Sequence, residues 1–139
     1  MEKEDPKLEE FFKNLAIYLA IMEKYGSYLL IMGYAIFVHV ADLDIREENE
    51  PEIPITEDAA ALLVIGEKLV LCGLIVLWYV AKTRIYQINS KNELLGLNIS
   101  LVPYEKLSNA YFLSVLANIA RVDALTEIAS LDPNEEALV

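Results

Sequence analysis

Cysteine occurs once in the 139 residues, at Cys72, and histidine once, at His39. One cysteine excludes an internal disulfide and a thiolate metal cluster, and it reads as a small buried apolar residue. One histidine excludes His-rich metal sites and the paired Glu-x-x-His motifs of a ferritin-like di-iron bundle. His39 and Asp42 stand one helical turn apart, but no serine or cysteine is placed to complete a triad, so His39 reads as a solvated or hydrogen-bonded group. No glycine lies between a strand and a helix, as a phosphate-binding loop requires. No cofactor or metal is therefore expected, and the chain reads as non-enzymatic.

Positive charge is also scarce. Lys and Arg number 11 against 22 acids, for a net charge of −11. Nucleic-acid binding needs clustered cations to displace counterions from phosphate, and no such cluster exists. Near the N-terminus, no short apolar region leads to a small-residue cleavage site, so no cleavable signal peptide is expected. The length suits one domain with a real core, spanning residues 1–139.

What the chain does have is long uncharged apolar stretches, with 55% hydrophobic residues overall. Asp5-Pro6 reads as an N-cap with proline at the first helical position, followed by Glu9 and Glu10 where the helix dipole favours acids. No proline follows until the acidic middle, which predicts a first helix over about 6–43, with about 36 residues from Leu8 onward rising ~54 Å at 1.5 Å per residue. Residues 42–58 hold eight acids, one arginine and two prolines. That composition predicts a hairpin loop over about 42–56. Thr56 then caps a second helix over about 57–88. Ser90-Lys91-Asn92-Glu93 has capping-box spacing, and Gly96 suits a left-handed stop. After an irregular stretch, Pro103 opens a third helix over about 103–131, closed by Asp132-Pro133. Leu107, Tyr111, Val115, Asn118, Val122, Leu125 and Ala129 form one stripe along it, so this helix is amphipathic. The fold class is all-α, a long antiparallel helical hairpin plus a third helix.

Gly26 and Gly33 are seven apart in the first helix, as are Gly66 and Gly73 in the second. In an antiparallel pair, residues at equal height have numbers of constant sum. Both 26 plus 73 and 33 plus 66 give 99, which places the fold point in the acidic loop. Glycine inside a helix costs roughly 1 kcal/mol against alanine, and close helix packing at small residues supplies a reason to accept that cost. Two charged pairs, Glu23-Lys24 and Glu67-Lys68, interrupt the apolar helices. They fall at different heights and do not face each other. They read as narrow solvent-facing edges, or else as polar contacts between subunits or an ion or proton relay within a membrane.

Residues 59–81 are long enough to cross a bilayer, and by insertion energies their large aliphatic residues roughly balance Glu67 and Lys68. Lys3, Lys7, Lys13, Lys82, Arg84, Lys91 and Lys106 fall on one side of the hairpin, while the acidic loop has only Arg46, which is a positive-inside distribution. Trp78 and Tyr79 precede Lys82 as interfacial aromatics would. A compact globule of this length has a radius of gyration of only about 14 Å, so helices of ~54 Å call for lipid or partners. Expected, then, is a self-associating interaction or scaffolding protein forming a two-span membrane hairpin with the acidic loop outside. The alternatives are a soluble, cytoplasmic oligomeric bundle, or an enzyme or transporter using buried Glu/Lys pairs. Far-ultraviolet circular dichroism should show more than about two thirds helix, against a typical third; a strand-dominated spectrum would contradict the whole assignment.

Overall fold

The computed structural model describes residues 5–131, which form three helices: α1 (Pro6–Asn49), α2 (Ala59–Leu95) and α3 (Val102–Ala129). No strand occurs among the described residues. The expected closing signal Asp132-Pro133, and Lys3, lie outside them.

Each helix boundary has a local cause. The Asp5 carboxylate accepts from the Lys7 backbone N–H at 3.0 Å, and Pro6 begins α1. The acidic composition does not end α1 at residue 43. The helix continues through Asp44 to Asn49, because Arg46, Glu47 and Glu48 are adequate helix formers. It stops where Pro51 bars helical backbone at the residue before it, and Glu50 accordingly has φ −134°. The loop is therefore shorter than 42–56. Asp58, not Thr56, caps α2, accepting from the Ala61 backbone N–H at 3.0 Å. The capping-box residues at 90–93 do not start a new helix, since nothing before Gly96 breaks the old one, and Glu93 accepts from the Asn89 side chain at 3.1 Å. Gly96 ends α2 in the left-handed region at φ 64°. Asn92 then holds the connection, its side-chain amide exchanging two 2.9 Å hydrogen bonds with the Ile99 backbone.

Along α1 the buried positions Phe12, Leu19, Gly26, Gly33 and Val40 are each seven residues apart. A strict seven-residue seam is the 3.5-residue period of left-handed packing between helices. By the constant sum of 99, these residues match Gln87, Val80, Gly73, Gly66 and Ala59 of α2, the first four of them buried. The contact is backbone to backbone at the glycines. A Cβ added at Gly33 would lie 2.6 Å from the Gly66 carbonyl oxygen, and one at Gly73 would lie 2.7 Å from that of Gly26.

α3 runs antiparallel to α2, with the Phe112 ring 5.3 Å from that of Trp78. α1 and α3 both pack on α2 and barely touch one another. The buried seam of α3 holds Ser108, Val115 and Asn118, with Tyr111, Val122 and Leu125 half-buried. Leu107 and Ala129, expected on this stripe, are exposed. Hydrophobicity favours Leu107, but the seven-residue phase set by Val115 selects Ser108. Cys72 is exposed too. It belongs to an exposed seven-residue row with Ile65, Tyr79 and Tyr86, of which Tyr79 brings its hydroxyl to 3.4 Å from that of Tyr18 on α1.

Replacing Gly73 by leucine should lower stability by at least ~1 to 3 kcal/mol through overpacking. On a free surface, leucine would instead favour the helix by up to ~1 kcal/mol. Thermal unfolding followed by circular dichroism gives the sign, and a stabilised variant would remove the close-contact account.

Candidate functional site: two arginine–carboxylate pairs in a trough

Because α1 and α3 flank α2 without meeting, a trough runs along α2 with the other two helices as walls. Phe37 of α1, Leu63 and Glu67 of α2, and Arg121, Ala124 and Leu125 of α3 surround a cavity of about 290 Å³ at one end. At the other end Glu23, Leu77, Ala81, Arg84, Leu107 and Tyr111 surround a smaller one of about 30 Å³.

The interior acids point into this trough. Glu67 is only 1% exposed, so it is not on a solvent-facing edge. The position places it under α3: the sum of 67 and 121 is 188, close to the 190 of the stacked pair Trp78 and Phe112, so Arg121 stands at its height. Arg121 Nε lies 3.3 Å from Glu67 Oε1. Neither carboxylate oxygen has a hydrogen-bond partner among the described residues. Burying a carboxylate costs several kcal/mol unless charge and hydrogen bonds compensate it; here the charge is compensated and the hydrogen bonds are not. Glu23 is half-exposed and accepts a 2.7 Å charge-assisted hydrogen bond from Arg84 Nη2.

The lysines beside these acids go elsewhere. Lys68 is exposed on α2, and the Lys24 ammonium lies 5.7 Å from the Tyr28 ring centre, one turn along the same helix. Gly26, Gly33, Gly66 and Gly73 sit in the α1–α2 seam and contribute backbone rather than chemistry. His39 Nε2 is 2.8 Å from the Glu57 carboxylate, which ties α1 to the loop. No group of three or more potential metal ligands occurs among the described residues.

Sequence reasoning singled out the acids but missed their partners, Arg84 and Arg121. Equal-height matching places Glu23 opposite Val76, eight residues from Arg84. Helical side chains lean toward their own N-terminus, and in an antiparallel pair those directions converge, which brings the two long side chains together. The scarcity of arginine was the available signal: only Arg46, Arg84 and Arg121 occur, and two of these three meet the interior acids.

Compared with known proteins, the chain matches no family model, no curated protein and no solved structure. The class that the fold defines is an all-helical, bundle-like protein with two helices long and apolar enough to cross a membrane.

Arg121→Ala should destabilise the fold by ~1 to 3 kcal/mol, because it leaves a buried charge unpaired. The double variant Glu67→Leu, Arg121→Leu should recover most of that loss, since apolar packing replaces buried pairs at little or no cost. Unfolding curves of the three proteins test this, and equal stability of the single and double variants would refute the pairing energetics.

Proposed function

We propose that the protein is a non-enzymatic, self-associating helical scaffold embedded in a membrane. The carrying observation is where its apolar surface lies. In the most apolar stretches of α1 and α2, only 17% and 28% of residues are buried within the chain. Tyr25, Ile31, Met32, Tyr34 and Val38 on α1, and Ile65 and Ile75 on α2, are among the large side chains left open. A core helix of a folded monomer would hide such residues, and contiguous exposed apolar surface of this extent marks contact with lipid or protein.

The interior charges support the same reading. Ionisable groups within membrane-spanning segments pair with one another, as the buried Glu67 does with Arg121. Residues 59–81 rise about 34 Å at 1.5 Å per residue, enough for a hydrocarbon core of ~30 Å. Lys82, Arg84, Lys91 and Lys106 gather at the end opposite the acidic loop, which orients that loop outward. Lys68 remains exposed at mid-span. A lone ammonium facing lipid there costs about 2.5 to 3.5 kcal/mol on insertion scales, and a neighbouring copy that covers it removes most of that cost. The exposed Lys68 thus favours self-association.

The packing of α3 changes the expected two-span topology. α3 lies along the apolar part of α2, so in a bilayer it crosses with the hairpin as a third element. Its uncharged run, residues 107–120, is short for a span. That shortness favours a second reading, a soluble oligomer in which other subunits cover the same apolar surfaces.

Cell fractionation distinguishes the two. The membrane scaffold should sediment with membranes through an alkaline carbonate wash and, in detergent, show by light scattering a mass above one protomer. Oligomers in a detergent-free supernatant would select the soluble reading, and a detergent-free monomer at high concentration would exclude both.

A further inference from the structure

We infer that the cavity at Glu67 and Arg121 binds a zwitterionic amphiphile in which a primary ammonium is joined to a phosphate, the chemistry of an aminophospholipid headgroup. The inference rests on the membrane reading only for the source of the ligand.

The charges in the cavity are already balanced, with Arg121 Nε 3.3 Å from Glu67 Oε1. A simple cation drawn to Glu67 would meet the guanidinium, and a simple anion drawn to Arg121 would meet the carboxylate. A ligand neutral overall but carrying both signs avoids both penalties. Glu67 is 1% exposed, and its two oxygens lack donors. Unsatisfied buried acceptors call for N–H or O–H groups, and a carboxylate accepts most strongly from a charged donor. A primary ammonium supplies three N–H donors; a quaternary ammonium supplies none.

Arg121, with its side chain 59% exposed, stands at the mouth of the cavity. A guanidinium presents five N–H donors in a fork that matches phosphate. One of those donors faces Glu67, and the others remain for an anion. The remaining walls, Phe37, Leu63, Ala124 and Leu125, are apolar, which suits the methylene link between the ammonium and the phosphate. The volume of about 290 Å³ lies at the small end of the ~300 to 1,000 Å³ range of small-molecule sites. It accommodates an ammonium and a phosphate drawn along the trough to the depth of Lys68, with the rest of the lipid lying outside.

Native mass spectrometry of the full chain in detergent, with short-chain phosphatidylethanolamine, short-chain phosphatidylcholine and free phosphoethanolamine as probes, tests the assignment. Phosphatidylethanolamine should bind at one per protomer and at least tenfold more tightly than phosphatidylcholine. Glu67→Gln, which keeps the side-chain shape, should abolish that preference while leaving the circular dichroism spectrum unchanged. Arg121→Gln should weaken both lipids. Equal binding of the two lipids, or an undiminished preference in Glu67→Gln, overturns the proposal. Should Glu67→Gln fail to fold, the wild-type comparison of the two lipids decides alone. Phosphoethanolamine binding as tightly as the lipid would support the site and assign its ligand to a soluble source. If the protein proves soluble, the same titration runs without detergent, so failure of the membrane reading and failure of the site remain distinguishable.

Discussion

The close approach of α1 and α2 at four glycines is the contact on which the rest of the structure depends. Carbonyl oxygens of Gly26 and Gly66 occupy space that a side chain on the facing helix would need. Both glycine pairs meet at one register only, because a seven-residue shift leaves a single glycine pair in contact and other shifts bring larger side chains against backbone. Once the register is set, the seven-residue seam follows, and Phe12, Leu19 and Val40 are carried into the same interface. Helix propensity is sacrificed at four positions, and what is gained is a unique alignment of two helices whose other surfaces are too uniformly apolar to specify one.

That alignment also determines the chemistry of the trough. The α2 face turned toward α1 is used up by the seam. Glu67, next to Gly66, is therefore rotated toward α3, where Arg121 meets it. Glu23 precedes Gly26 by three residues and is directed to the trough edge, within reach of Arg84. The glycine seam and the two ion pairs are thus one design: a tight hairpin fixes the rotation of each helix, and the rotation decides which charges are buried. Lys24 and Lys68 fall on outward faces, together with many of the large apolar side chains. Much of the outside of this chain is consequently apolar, and that inversion is what the proposed scaffold would use.

Much of this was legible in the residues. The all-α class, the three-helix order and the stop at Gly96 follow from periodicity, caps and backbone stereochemistry, which are local. The equal-height matching of the glycines was readable as well, because it is arithmetic along two rigid rods of known rise. The end of α1 is not legible from composition, because an acidic stretch resembles loop although Glu and Arg are good helix formers and only Pro51 interrupts the helix.

Composition and local stereochemistry are enough to require long apolar helices with Glu23 and Glu67 inside them. Helix packing alone establishes that Glu67 is buried, that Arg84 and Arg121 are the partners, that Ser108 rather than Leu107 enters the α3 seam, and that Cys72 is exposed. The physical reason is that a helical residue's direction relative to a neighbour depends on the rotation of the whole helix about its axis. Packing of three helices sets that rotation together, and no short stretch of sequence encodes it.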